Sequence, residues 1–142
     1  SGFVASGSKN ISQIKQLRAY AGCPVAGPIQ DVSAKVWADE EHVVANRQLY
    51  CGKFEASDHI FAGIDVYNSP QAGFFLWLPV EDDQMVALKL WTEKGVRVLP
   101  GSYLGQIANE QNPGSGYVRV ALVAPKEETQ RGLTIIRDCL YK

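Results

Sequence analysis

Arg119 is the residue of this sequence whose setting points most directly to chemistry. It lies within an apolar, β-branched stretch, residues 116–125, whose composition predicts a buried strand. A permanent cation in such a strand is costly unless it is paired or receives an anionic ligand. The residues alone favour a structural arginine, either at the rim of the sheet or in a salt bridge with a neighbouring helix. An anion-binding role is the alternative.

The other groups capable of chemistry have simpler explanations. His42 and His59 fall near a predicted helix start and a predicted helix end, where solvated side chains are expected. The acidic clusters at 39–41 and 81–83 lie where the first turn of a helix favours carboxylates. The glycine-rich segment 112–116 precedes a strand instead of a helix, which indicates a turn and not a phosphate-binding loop. These residues reveal no catalytic centre and no metal site.

The composition and charge of the chain indicate which classes of protein it can belong to. The chain has 142 residues, 46% of them hydrophobic and 20% charged, which is typical of a soluble domain with an ample core. Its net charge is -1 and it has no basic stripe, so nucleic acid and anionic membranes are not expected partners. No apolar run approaches the roughly 20 residues of a membrane span. Three distant cysteines, Cys23, Cys51 and Cys139, favour reduced thiols in a cytoplasmic protein.

The first half of the chain predicts helices. Residues 3–5 are compatible with a short strand, and apolar residues at helical spacing then predict a helix over 11–22. A proline-punctuated connector follows. The apolar stripe beyond it predicts two helices, at about 28–37 and 39–62, with one long helix as the alternative.

The second half changes to a mixed pattern of strands and helices. The strand at 73–78 is apolar on both faces, so both faces should be covered. The order of elements predicts an α+β fold, with helices packed on one sheet. The predicted elements are strands at 73–78, 96–98 and 116–123, helices starting near 82 and 125, and a loop at 102–115.

Three segments of this half carry a resemblance to a known family. Residues 73–78, 95–101 and 116–120 together resemble the C-terminal part of class I/II (fold type I) pyridoxal-phosphate-dependent aminotransferases. Residues 1–18 are similar to the family segment just past its Schiff-base lysine and phosphate-binding arginine. Among subfamilies, residues 68–79 and 91–104 look most like succinyldiaminopimelate aminotransferases of bacterial lysine biosynthesis.

The resemblance implies roles for particular residues. Arg119 corresponds to the arginine that binds the substrate α-carboxylate, and a planar guanidinium suits a carboxylate because it offers two parallel hydrogen bonds. Pro100, Gly101 and Tyr103 would lie on a loop facing the active-site cleft, with a plain turn as the alternative. The catalytic and cofactor-binding residues are expected upstream of residue 1. The chain would then be a truncated piece, inactive on its own, with no metal site.

The resemblance also implies how the chain is divided into domains and what the full-length protein binds. Residues 1–27 would be a remnant of the large cofactor-binding domain, 28–62 interdomain helices, and 63–142 a small C-terminal domain. That small domain is expected to be a two-layer sandwich of a short mixed sheet with helices. The full-length protein would use pyridoxal phosphate, amino acid and 2-oxo acid substrates, and form a homodimer. The other interpretation is a free-standing, non-catalytic α+β module for ligand binding or dimerisation.

Overall fold

The computed structural model describes residues 2–22 and 24–141, and the fold over these residues is α+β, as predicted. The chain divides into two compact units, Ser1–Ala45 and Asn46–Lys142, and the boundary falls within α3. No helix in the described ranges is both long enough and apolar enough to cross a membrane. The elements are α1 (Ser8–Tyr20), α2 (Gly27–Ala38), α3 (Glu41–Ile60), β1 (Phe75–Pro79), α4 (Asp83–Lys94), β2 (Leu99–Pro100), a 3-10 turn (Gly101–Tyr103), β3 (Tyr117–Ala121) and α5 (Lys126–Leu140).

The first unit consists of α1, α2 and the start of α3. The prediction of two helices instead of one long helix is confirmed, because the chain leaves the helical conformation at 39–40. The carboxylate of Asp39 accepts a hydrogen bond from the backbone N–H of Glu41 at 3.1 Å, as expected of a residue that caps a new helix. The predicted strand at 3–5 is wrong: no strand in the described chain pairs with these residues, and the ring of Phe3 packs 5.2 Å from that of Trp37.

The second unit contains a three-stranded sheet in the order β1-β3-β2. Both pairings are antiparallel, so the predicted mixed sheet is wrong for the described strands. The reason is the position of β3. The strands β1 and β2, joined through α4, run in the same direction, but β3 returns between them and separates them.

The core of this unit lies on one face of the sheet. Val118 and Val120 on β3 and Leu122 just after it alternate in sequence and are buried, which agrees with the buried strand predicted in this stretch. The prediction that both faces of β1 are covered is wrong within this unit, because Trp77 is 41% exposed. The residues of the core include Phe61, Leu76, Leu78, Leu90, Val118, Val120, Leu122, Leu133 and Ile136.

The end of α4 explains a shifted strand. Gly95 adopts a left-handed conformation with φ 66°, and its backbone N–H and that of Val96 bond back to the last turn of the helix. Those residues therefore complete the cap of α4 and are not available to a strand. The sheet pairing predicted at 96–98 is found instead at Leu99 and Pro100, which pair with Arg119 and Val118.

Candidate functional site

Arg119 occupies the middle of the central strand. Its register partners are Trp77 on β1 and Leu99 on β2, so these side chains share the face of the sheet opposite the core. The side chain of Arg119 is half-buried. Among the described residues its guanidinium has no carboxylate within salt-bridge distance and no hydrogen-bond partner. The guanidinium therefore has its five N–H donors available for an anionic ligand.

Three aromatic residues share the face of the sheet that carries this arginine, and we call Phe75, Trp77 and Tyr117 the aromatic face. The guanidinium carbon of Arg119 lies 4.4 Å from the ring centroid of Phe75. Trp77 and Tyr117 stack with their centroids 5.5 Å apart and their planes 19° apart. Rings of this size lower the local dielectric, and hydrogen bonds between a guanidinium and a carboxylate become stronger in such surroundings.

A close backbone contact fixes the loop between β2 and β3. A Cβ atom added to Gly101 would overlap the carbonyl oxygen of Gly114 and would lie 2.8 Å from that of Tyr117. The side chain of Asn112 closes the loop, since its Nδ2 donates to the carbonyl of Ser102 at 2.8 Å and its Oδ1 accepts from the N–H of Gly114 at 2.9 Å. The sequence of this segment predicts only a turn and does not reveal the role of Asn112.

A buried carboxylate ties the same loop to α4. Asp83 is 5% exposed, and its Oδ2 accepts a hydrogen bond from the backbone N–H of Ser102 at 2.7 Å. Burial by itself raises the pKa of Asp83, but hydrogen bonds from the side chain and backbone of Ser102 and the backbone of Gly116 outweigh it, and the pKa lies below its usual value. This ion therefore stabilises the loop that precedes β3.

The Asp83 contact makes stability depend on pH. A carboxylate whose pKa is depressed in the folded state contributes stability above its unfolded pKa of about 3.9, and that stability is lost as the pH falls through the folded value. We expect Asp83→Asn to lower the free energy of unfolding at pH 7 by about 1–3 kcal/mol, with a difference that shrinks in acid. Denaturant unfolding at several pH values measures this, with Glu93→Gln, an exposed change on α4, as control. If Asp83→Asn lowered the free energy of unfolding by the same amount at every pH, the stabilising role of the Asp83 carboxylate would be contradicted.

The residues predicted for a cleft loop differ in their burial. Pro100 lies in β2, opposite Val118, and Gly101 begins the 3-10 turn directly after it. Both are therefore beside the central strand and are buried. Tyr103 is 66% exposed, and its hydroxyl contacts the amide oxygen of Gln84 at 3.5 Å, at the start of α4.

Comparison with known proteins decides the family. The family model described as aminotransferase class I and II matches residues 2–136. The chain belongs to this family. Enzymes of the family depend on pyridoxal phosphate, and the resemblance read from the three sequence segments is confirmed at this level.

Three similar proteins of the aminotransferase family illustrate the extent of the match. The structure of an aminotransferase from Neisseria meningitidis is 36% identical, with a TM-score of 0.86 over 98% of this chain and 36% of that chain. The 4-dedimethylamino-4-oxo-anhydrotetracycline transaminase OxyQ of Streptomyces rimosus is 30% identical over 82% of this chain and 31% of its own length. An LL-diaminopimelate aminotransferase of Dehalococcoides mccartyi is 26% identical over 93% and 34%. The chain thus spans about a third of the length of these relatives.

The lysines are the groups of this aminotransferase chain that could form a covalent bond with pyridoxal phosphate. The half-buried Lys53 donates to the carbonyl oxygens of Leu122 and Ala124 at 2.6 and 2.8 Å, which occupies its ammonium group. Every other lysine in the described ranges is exposed. No group of three or more potential metal ligands occurs there either. Among the described residues the candidate ligand-binding group is therefore Arg119, as a carboxylate-binding arginine.

The cysteines and histidines lie away from Arg119 in sequence and on other elements. Cys51 on α3 is exposed and Cys139 on α5 is half-buried, and both are free thiols, while Cys23 lies outside the described residues. His42 contacts the carboxylate of Asp39 at 3.5 Å, with both side chains more than half exposed. His59 is exposed in the last turn of α3.

Proposed function

We propose that the chain is the C-terminal third of a pyridoxal-phosphate-dependent aminotransferase, in which Arg119 binds the α-carboxylate of the amino acid and of the 2-oxo acid. The observation that carries this proposal is the half-buried guanidinium on the open face of the sheet, which has no hydrogen bond or salt bridge to the described residues. A family match over residues 2–136 supports the reaction class.

Arg119 would act by binding and orienting the substrate. Its planar group meets a carboxylate through two parallel hydrogen bonds, which fix both the distance and the rotation of the ligand. The strand holds the arginine rigidly, because β3 is paired on both edges. Pro100, Gly101 and Tyr103 would bound the same cleft, supported by the hydrogen bond from Ser102 to Asp83.

The domain assignment from the resemblance becomes part of the proposal. Residues 1–27 would belong to the large domain, 28–62 to the interdomain helices and 63–142 to the small domain. Residues 63–142 fall within the second compact unit, which contains the sheet and the buried core. A cytoplasmic homodimer is the proposed assembly, as the resemblance implies.

The proposed substrate is succinyldiaminopimelate, in lysine biosynthesis. The similarity to an LL-diaminopimelate aminotransferase supports a diaminopimelate-type substrate. The transaminase OxyQ has a higher sequence identity to this chain than the LL-diaminopimelate aminotransferase has. The test must therefore compare several substrates. A panel of succinyldiaminopimelate, LL-diaminopimelate, aspartate and an aromatic amino acid, each as amino donor at equal concentration, ranks them by kcat/KM. A donor outside the diaminopimelate group at the top of the ranking would contradict this substrate.

A comparison of two lengths of the protein tests the reaction class. We expect the gene product that includes the upstream two thirds to retain pyridoxal phosphate through dialysis and to transaminate. We expect the 142-residue chain to do neither, since the resemblance implies that the groups which bind the cofactor lie in the upstream two thirds. Visible absorbance after dialysis and an amino-transfer assay measure both. A stoichiometric cofactor on the 142-residue chain, lost when one lysine is substituted, would contradict the proposal, and a native protein of 142 residues would favour the non-catalytic module.

A further inference from the structure

The contact between Phe75 and Arg119 follows from the register of the sheet. Phe75 lies opposite Ala121, so it is the diagonal neighbour of Arg119 on the same face. Trp77, directly opposite Arg119, stacks instead on Tyr117, its own diagonal neighbour. Ala121 has only a methyl group, which leaves the space beside Phe75 to the guanidinium, 4.4 Å from the ring centroid.

We infer that Phe75 is a positioning residue that holds the guanidinium of Arg119 in the orientation needed to receive a carboxylate. The inference rests on the proposed function. An aromatic face attracts a cation through its quadrupole and uses none of the N–H donors of that cation. A carboxylate partner would hold Arg119 as well, but it would compete with the ligand for the same donors. A phenylalanine therefore restricts the arginine and leaves its hydrogen-bonding capacity to the substrate.

Other features of the second unit agree with a fixed ring. Phe75 is half-buried, and the neighbouring ring of Phe74 packs against it with centroids 4.0 Å apart. The backbone carbonyl of Phe74 accepts a hydrogen bond from Leu122 at 2.9 Å, which extends the pairing of β1 with β3 past the end of the strand. The ring that contacts Arg119 is thus held by both packing and backbone pairing.

The first experiment measures steady-state kinetics of the full-length aminotransferase with succinyldiaminopimelate, the proposed substrate, as the varied amino donor. Phe75→Leu keeps apolar volume and removes the ring, and we expect KM to rise about 3- to 10-fold with kcat changed less than about twofold. Phe75→Tyr should restore the wild-type KM because it restores the ring. The control is Trp91→Leu, which removes another ring–arginine contact, that of the exposed Trp91 on α4 with Arg97 at 5.5 Å, and should leave both constants unchanged. Equal KM values for Phe75→Leu and wild type would overturn the inference.

A double-mutant cycle separates positioning from direct contact with the substrate. If Phe75 acts through Arg119, Phe75→Leu should have no further effect once Arg119→Ala is present. Additive effects on kcat/KM would overturn the inference and assign the ring a contact of its own. The two proposals can be told apart. Little effect of Arg119→Ala on kcat/KM would overturn both the proposed function and the role of Phe75. A large effect of Arg119→Ala beside a silent Phe75→Leu would overturn only the role of Phe75.

Discussion

Arg119→Ala is expected to lower kcat/KM of the full-length aminotransferase by about 30- to 1,000-fold, which corresponds to about 2–4 kcal/mol of transition-state binding. The reason is the loss of a charge-assisted, bidentate contact on a partly desolvated face. The fold should survive, because among the described residues the guanidinium makes no hydrogen bond or salt bridge that the protein would lose. Steady-state kinetics and thermal unfolding of the same preparation measure the two effects.

Arg119→Lys is the informative companion variant. A lysine keeps the charge but cannot reproduce the planar fork of donors, so we expect it to recover little of the lost activity. If Arg119 had a structural role instead, substitution would lower the Tm and leave kcat/KM per folded molecule nearly unchanged. Kinetics within about threefold of wild type would contradict the carboxylate-binding role.

The second large effect is expected at Gly114. A Cβ atom there would overlap the carbonyl oxygen of Gly101 and lie 2.6 Å from its carbonyl carbon, and backbone atoms cannot move aside as a flexible side chain can. We therefore expect Gly114→Ala to lower the free energy of unfolding by about 3 kcal/mol. The loop before β3 would separate from β2 and displace the strand that carries Arg119. Denaturant unfolding of the purified protein measures the change.

The same substitution elsewhere gives a matched control. Gly132 lies within α5, and a Cβ atom added to it meets no other atom within 4 Å. Gly132→Ala should therefore raise the free energy of unfolding by about 0.5–1 kcal/mol, because alanine is the better helix former. Equal effects of the two glycine substitutions would show that the contact between Gly101 and Gly114 does not constrain the loop.

Local patterns were sufficient to predict much of the fold. The alternation of Val118, Val120 and Leu122 gave the buried face of β3, since side chains of a strand point to opposite faces in turn. The cap of α4 was also predictable: Asp82 accepts from two backbone N–H groups of the first turn, and Gly95 ends the helix in a left-handed conformation. The alternation and the helix caps depend only on residues that are close in sequence, so both can be predicted from the sequence.

Several of the errors and omissions concern contacts between residues distant in sequence. The antiparallel arrangement depends on β3 lying between β1 and β2, which no local pattern specifies. The contact of Phe75 with Arg119 depends on the register of two strands separated by more than 35 positions. Asn112 and Asp83 gain their roles from hydrogen bonds to the loop between β2 and β3. The face of Trp77 stays open because helices of the second unit cover the sheet on one side only.

The most direct test of the central claim is a crystal structure of the full-length protein with a bound amino acid or 2-oxo acid. We predict that the two α-carboxylate oxygens lie about 2.7–2.9 Å from two guanidinium nitrogens of Arg119, in a bidentate arrangement. The ring of Phe75 should remain beside the guanidinium, as it is at 4.4 Å in this structure. An α-carboxylate bound by another residue, with Arg119 in a salt bridge to a protein carboxylate, would contradict the account.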